Sequence, residues 1–163
     1  SVEGSSKEAR AVVEQMLEEI RSGREDAVRA LARKFDNWDQ EFILSDAKRQ
    51  KLIASVPESV KRDLEFAHKQ VAGFAKAQRD SLKEFETEVT PGVILGQRVI
   101  PMDVAGCYVP GGRFAHACSG IMSVATAKAA GVRTIIACSS PFRGGGMHPY
   151  LLYAFKAAGP TSS

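Results

Sequence analysis

The sequence lacks the features that mark an exported, disulfide-linked or membrane-spanning chain. It has three cysteines in 163 residues, far apart and without a C-x-x-C pair, and their odd number leaves at least one thiol unpaired. Reduced cysteines are the simplest explanation. No apolar run approaches the roughly 20 residues needed to span a bilayer, and the N-terminal stretch SVEGSSKEAR lacks the apolar core of a signal peptide. We therefore expect a cytoplasmic protein without a membrane partner.

Acidic residues are nearly absent from the second half of the chain. Residues 91–163 carry six Lys/Arg against the single acid Asp103, a net charge of +5, whereas residues 1–90 carry 16 Lys/Arg against 18 Asp/Glu, a net charge of −2. The total of +3 is too small to indicate a nucleic-acid partner. The second half would tolerate an anion, although an ordinary solvated basic face explains the same counts.

Several catalytic patterns are also missing. The sequence has no P-loop, no nucleophile elbow, no G-x-G-x-x-G dinucleotide spacing and no His/Cys/Asp/Glu cluster at zinc-ligand spacing. The 44% hydrophobic content is nevertheless enough to bury the core of one domain. These properties indicate a folded domain whose chemistry is not marked by a standard motif.

The spacing of apolar residues predicts helices in the first half. Apolar residues recur at three- and four-residue steps over 6–22 and are followed by Gly23, which favours the end of a helix. The same spacing predicts a second helix over 25–35. A third should begin at the capping residue Ser45, and a long fourth should begin just after Pro57.

The periodicity changes near residue 83. Apolar and acidic residues alternate over 84–89, and the turn Pro91-Gly92 predicts a β-hairpin. Strand, helix, strand and helix patterns follow, over about 104–109, 118–130, 133–140 and 148–158. This order is typical of the beginning of a parallel, doubly wound sheet.

The predicted fold is therefore of the α/β class. An N-terminal helical arm, residues 1–82, should precede a β-hairpin and an incomplete Rossmann-like parallel βαβα unit within residues 83–163. Two strands and two helices do not close a core, because parallel sheets are normally covered on both faces. We expect the exposed sheet to favour association of the chain.

The stretch GCYVPGGRFAH follows the first predicted parallel strand. Doubly wound folds bind ligands at this edge, where backbone N–H groups and a helix N-terminus face outward, and Gly111 and Gly112 permit close approach. Tyr108 is placed to flank a bound base, Arg113 to pair with an anion, and His116 shares the loop. A plain Pro-Gly-Gly turn with a core tyrosine and a solvated arginine explains the same residues.

A longer stretch carries a resemblance. The string PGVILGQRVIPMDVAGCYVPGGRFAHACSGIMSVATAKAAGV, residues 91–132, closely resembles the histidinol dehydrogenase family. Its members carry P-G-V-x-L-G, then P-x-x-x-x-G-x-Y-V-P-G-G, then a helix with L/I-M and P/T-A-K-x-A-G. Upstream, EEIRSGREDAVRALARKFDNWD is similar to the family's N-terminal helical segment, so the likeness covers about residues 12–159.

The resemblance implies a cofactor and a set of site residues. Members of the family are homodimers that oxidise an alcohol to a carboxylate in two NAD-dependent steps, with a zinc ion orienting the substrate and a Glu-His pair handling protons. Tyr108 would contact NAD, and Pro110, Gly111 and Gly112 would shape the same edge. The zinc ligands and the Glu-His pair lie in later segments of the family. We therefore expect neither the zinc ligands nor the Glu-His pair in this chain. It would then be an N-terminal fragment that is inactive alone.

Three residues bear on the substrate. Cys107, Arg113 and His116 differ from the usual biosynthetic pattern and resemble the related branch that oxidises sulfonated diols. An arginine and a histidine at the mouth would suit a sulfonate, whereas histidinol is itself cationic. The small-molecule reaction expected is either L-histidinol to L-histidine or 2,3-dihydroxypropane-1-sulfonate to sulfolactate. The alternative is a non-catalytic α/β dimerisation module without the catalytic half.

Overall fold

The computed structural model describes the backbone of residues 2–111 and 114–159, and the side chains of these ranges from residue 7 onward. None of the helices in these ranges is long and apolar enough to cross a membrane. The residues group into two compact units, Ser1–Phe42 and Ile43–Ser163. The elements are α1 (Val2–Asp36), α2 (Asp46–Ala54), α3 (Glu58–Ser81), β1 (Phe85–Thr90), β2 (Val93–Gln97), β3 (Val104–Tyr108), α4 (Ala117–Ala129), β4 (Thr134–Cys138) and α5 (Pro149–Ala158).

The first unit is built on α1, which is interrupted at Arg24. The φ of 51° and ψ of −132° at Arg24 are not helical, and a non-glycine residue with positive φ is uncommon. The predicted break between two helices is confirmed, but it falls one residue after Gly23. Gly23 has a steric role instead, because a Cβ at this position would lie 2.9 Å from the Cβ of Ala27.

Arg29 connects α1 to the segment that ends the first unit. Its guanidinium donates to the carboxylates of Glu25, at 2.7 Å, and Glu41, at 3.2 Å. The same group lies 5.0 Å from the centre of the Phe42 ring, within the range of a cation–π contact. These contacts fold the chain after α1 back along the helix.

Capping residues set the helix boundaries of the second unit. The Ser45 hydroxyl accepts a hydrogen bond from the backbone N–H of Lys48 at the start of α2. α3 begins directly after Pro57, and α5 begins with Pro149, a residue suited to the first turn of a helix. α5 ends at Gly159, whose φ is 75°. The predicted helices of this unit are therefore confirmed.

The strands form two separate pairs. β1 and β2 pair as an antiparallel hairpin, and β3 and β4 pair in parallel with Tyr108 opposite Cys138. All residues of the hairpin strands are exposed. The predicted α/β order of helices, antiparallel hairpin and parallel strands is confirmed.

The core of the second unit lies on one face of the parallel pair. α4 packs against both strands, and α3 and α5 pack against α4. Along β4, Ile135 and Ala137 are buried while Ile136 and Cys138 are exposed, as expected for side chains that alternate between faces. The buried cluster comprises Val56, Leu64, Cys107, Val109, Ile121, Val124, Ala125, Ile135, Ala137, Leu151, Tyr153, Ala154, Phe155 and Ala158.

A side-chain hydrogen bond joins α5 to α3 across this core. The Tyr153 hydroxyl donates to a carboxylate oxygen of Glu65 at 2.5 Å, and the Tyr153 ring is buried. The hydrogen bond to Glu65, with burial as the smaller cause, raises the pKa of Tyr153 to about 12. The phenol therefore stays protonated and keeps its polar atom paired.

The change from helices to strands near residue 82 falls inside the second unit. α3, which precedes it, packs against α4 and α5, which follow it. The expected boundary between segments 1–82 and 83–163 stays a prediction about sequence organisation. Within Ile43–Ser163, helices from both sides of it share one core.

We predict that two neighbouring isoleucines of β4 respond differently to the same truncation. Ile135→Val removes a methylene from the covered face and should lower the free energy of unfolding by about 0.5–1.5 kcal/mol. Ile136 is 45% exposed in the single chain, so at protein concentrations too low for association Ile136→Val should change the free energy of unfolding by less than about 0.5 kcal/mol. Urea denaturation at several protein concentrations measures both. An equal or larger loss at Ile136, growing with concentration, would show that association covers the open face.

Candidate active-site edge

The candidate site is the edge where the carboxyl ends of β3 and β4 meet. Tyr108 is the last residue of β3, and the backbone N–H of Val109 donates to the carbonyl of Cys138 at 3.0 Å. The two strands therefore stay hydrogen-bonded one residue beyond their last register pair, Tyr108 and Cys138. Segments 109–111 and 139–140 leave the sheet side by side, at the edge that parallel α/β sheets use for ligands.

Gly111 allows these two segments to approach more closely than any side chain permits. A Cβ at this position would lie 2.2 Å from the Ser139 hydroxyl oxygen and 3.4 Å from a methyl group of Leu151. Gly111 is itself buried. The Pro-Gly-Gly sequence is therefore more than a surface turn, because its first glycine is held between the end of β4 and α5.

Tyr108 and Ser140 form a side-chain link across the same edge. Their hydroxyl oxygens lie 3.0 Å apart, within hydrogen-bond distance. The Tyr108 side chain is 62% exposed, which contradicts the interpretation of this residue as a half-buried core tyrosine. An exposed ring whose hydroxyl is held is suited to receive a planar ligand.

The loop after β4 ends at a histidine cap. The Nδ1 atom of His148 accepts from the backbone N–H of Tyr150 at 3.1 Å, and the centre of its ring lies 4.4 Å from that of Phe142. Burial, and then the charge of Arg143, lowers the pKa of His148. Only an unprotonated Nδ1 can accept this bond, so the lowered pKa favours the capped form.

The structure describes two of the four remaining predicted site residues, Pro110 and His116. Gly112 and Arg113 lie outside the described residues. Pro110 is exposed beside Gly111. His116 precedes α4 with a φ of 40°, its side chain makes no capping hydrogen bond, and its ring meets Phe114 edge-on at 6.3 Å. The structure thus gathers Tyr108, Pro110 and Gly111 at the edge, and their roles stay predictions.

Sequence reasoning missed Ser139 and Ser140. Both were included in the predicted strand over 133–140, whereas β4 ends at Cys138. A signal was present, because parallel strands end at the same edge and the residues after the second strand must lie beside those after the first. The pair of serines after an apolar strand was therefore a candidate for this site.

The cysteine nearest this edge has no activated thiol. Burial, and then the neighbouring Cys107, raises the pKa of the Cys138 thiol, which disfavours the reactive thiolate. Within residues 2–111 and 114–159, no group of three or more His, Cys, Asp or Glu is placed to hold a metal ion. The described edge therefore offers hydroxyl groups and backbone, which suit a polar organic ligand.

Comparison with known proteins places the chain in a family. A family model described as histidinol dehydrogenase matches residues 2–162. The chain belongs to the histidinol dehydrogenase family. The resemblance carried by the Y-V-P-G-G stretch is thereby confirmed, and dehydrogenase chemistry is supported at the level of the family.

The similar curated proteins are longer than this chain. A histidinol dehydrogenase homolog of Ruegeria pomeroyi is 45% identical over 93% of the chain and 35% of its own length. A sulfopropanediol 3-dehydrogenase of the same organism is 46% identical over 90% of the chain and 34% of its own length. A histidinol dehydrogenase of Methanosarcina mazei is 32% identical over 90% of the chain and 34% of its own length. The chain spans about a third of these relatives.

A solved structure shares the fold. The crystal structure of histidinol dehydrogenase from Elizabethkingia anophelis superposes with a TM-score of 0.83 at 23% identity, over 94% of this chain and 35% of that one. The arrangement of helices, hairpin and parallel strands is therefore that of the corresponding third of a family member.

We predict that Gly111→Ala destabilises the chain through its contact with Ser139. The new Cβ would collide with the Ser139 hydroxyl oxygen, and overpacking of this kind costs about 1–3 kcal/mol of unfolding free energy. In a Ser139→Ala background the hydroxyl oxygen is absent, and the nearest side-chain atom of residue 139 is its Cβ, at 3.5 Å. The loss of unfolding free energy caused by Gly111→Ala should therefore be smaller there.

The matched control is Gly106→Ala on β3, where an added Cβ has no atom within 4 Å. Urea denaturation of the single and double variants gives the coupling between positions 111 and 139. Losses at Gly111 that are independent of residue 139, or no larger than at Gly106, would contradict the close approach.

Proposed function

We propose that this chain is the nucleotide-binding beginning of an NAD-dependent dehydrogenase that oxidises a CH–OH group to a carboxylate. The observation that supports this most directly is the edge formed by Tyr108, Gly111 and Ser140. There a buried glycine brings the backbone to the end of the sheet beside an exposed tyrosine ring. The family resemblance implies NAD as the cofactor, and the proposal is supported by relatives that are named dehydrogenases.

The residues of the edge have distinct proposed roles in binding NAD. The Tyr108 ring would pack against one face of the nucleotide, since its ring is exposed and its hydroxyl is engaged. Pro110, Gly111 and Gly112 would shape the backbone against which the nucleotide lies. Bound NAD would accept a hydride from the substrate carbon. These residues would orient the cofactor.

Zinc does not fit the described residues. The resemblance implies a zinc ion, but the ranges 2–111 and 114–159 contain no suitable group of ligands. Its ligands would have to come from outside these residues, and we derive no step through it. Homodimer formation is likewise proposed from the resemblance.

Calorimetric titration with NAD tests the nucleotide site. The 163-residue chain should bind NAD with a Kd of about 1 mM or tighter, and Tyr108→Ala should weaken binding by about tenfold or more, the value of one aromatic stacking contact. Phe66→Ala, which removes a similarly exposed aromatic side chain from α3, should leave the affinity unchanged. Absence of binding would favour the alternative, a non-catalytic scaffold or dimerisation module.

For the substrate we propose a sulfonated diol over an amino alcohol. The sulfopropanediol 3-dehydrogenase of Ruegeria pomeroyi is 46% identical to the chain, whereas histidinol dehydrogenases of Methanosarcina mazei and Methanothermobacter thermautotrophicus are 32% and 34% identical. Arg113 and His116 are the residues that would face the sulfonate. The guanidinium group of an arginine pairs well with a sulfonate and would repel the charged amine of histidinol.

In a protein that contains this chain at the full length of its relatives, Arg113→Ala should lower kcat/KM for 2,3-dihydroxypropane-1-sulfonate. The expected loss is about ten- to hundredfold, the value of one charge-assisted hydrogen bond. The matched control is Arg143→Ala, which removes an exposed arginine stacked on Phe142. Oxidation of histidinol alone, with Arg113→Ala silent, would overturn this assignment.

A further inference from the structure

The position of Ser140 follows from the register of the parallel strands. Tyr108 pairs with Cys138, and residues two apart along an extended chain point to the same face. Ser140 therefore emerges on the face that carries Tyr108 and Cys138, opposite the buried side chains of Ile135 and Ala137. It lies where its hydroxyl reaches the tip of the Tyr108 ring, at 3.0 Å.

The bond to Ser140 acts on a side chain that has little else to hold it. The Tyr108 side chain is 62% exposed and ends its strand, so packing restricts its rotamers weakly. Its hydroxyl is its one polar atom, and Ser140 supplies the hydrogen-bond partner. A ligand that stacks on an unrestrained ring must order that ring on binding, which lowers its affinity.

We propose that Ser140 is a positioning residue for the nucleotide. Its hydroxyl holds the Tyr108 ring in the orientation that receives the cofactor, so that binding does not have to order this side chain. The inference rests on the proposed nucleotide-binding role of Tyr108. It adds a residue from the end of β4, 32 positions along the chain, to a site otherwise built from the end of β3.

The neighbouring serine has a different role. Ser139 lies beneath Gly111, and its hydroxyl donates to the carbonyl of Ser140 at 3.3 Å. Substitution of Ser139 would therefore disturb backbone packing. The Tyr108–Ser140 bond joins two side chains at an exposed position, where loss of one hydrogen bond has little effect on folding. An effect on affinity can therefore be separated from an effect on stability.

The test is a double-substitution cycle on NAD affinity, measured by calorimetry with the 163-residue chain. Ser140→Ala should weaken binding by about two- to tenfold, the effect of leaving one side chain unrestrained. Ser140→Thr keeps a hydroxyl and should restore the affinity. In a Tyr108→Phe background, where the bond is already absent, Ser140→Ala should have no further effect. The control Ser81→Ala, whose hydroxyl bonds to the carbonyl of Gln78, should be silent.

A second readout does not depend on the cofactor. Three-bond couplings that report χ1 of Tyr108 in the free chain should indicate one rotamer, and Ser140→Ala should shift them toward averaged values while the melting temperature stays unchanged. Couplings that are the same in both forms would overturn the inference. So would a loss in Ser140→Ala that persists in full in the Tyr108→Phe background, because it would assign Ser140 a direct contact with NAD.

The outcomes separate this inference from the proposal on which it rests. NAD binding that Tyr108→Ala weakens and Ser140→Ala leaves unchanged would overturn the positioning role and leave the nucleotide site intact. No binding by the unsubstituted chain would overturn the nucleotide site, and the positioning role with it.

Discussion

The close approach of Gly111 to Ser139 is the constraint on which the candidate site depends. A glycine at this point lets the chain leaving β3 lie against the chain leaving β4, at a separation that excludes even a methyl group. Leu151 of α5 closes the other side of the same position. Because this contact holds the two strand ends side by side, it brings Tyr108 and Ser140 close enough for their hydroxyl groups to form a hydrogen bond.

The core that supports this edge is one-sided. Helices cover the face of β3 and β4 that carries Cys107, Ile135 and Ala137, while Tyr108 and Ile136 on the other face are exposed. Parallel sheets are generally covered on both faces. The stability of the second unit therefore comes from the layer of α3, α4 and α5, and the Tyr108 side chain lies exposed on the open face.

Local sequence signals accounted for most of the elements but not for the contacts between them. Ser45, Pro57 and Pro149 set helix boundaries through local chemistry, so they could be predicted. The break in α1 was assigned to Gly23 because glycine tolerates positive φ, whereas the structure uses Gly23 for close packing and places the unusual backbone at Arg24. Such choices depend on neighbours that a propensity argument does not include.

The site shows the same division. Tyr108 and Gly111 were found because they belong to a stretch that resembles a known family, and the position of that stretch after a strand agreed with ligand binding. Ser139 and Ser140 were missed because their partners lie far away in the sequence. Tyr108, for example, precedes Ser140 by 32 residues. Contacts of this range appear only when the register of β3 and β4 is known.

The central claim is that the carboxyl edge of β3 and β4 receives the nucleotide. The most direct measurement is a titration of the ¹⁵N-labelled chain with NAD, following every assigned backbone amide. We expect saturable shifts at Tyr108, Gly111, Ser139 and Ser140, with little change in the hairpin over 85–97. Shifts concentrated in the hairpin or in the first unit, with the amides of the edge unmoved, would contradict it.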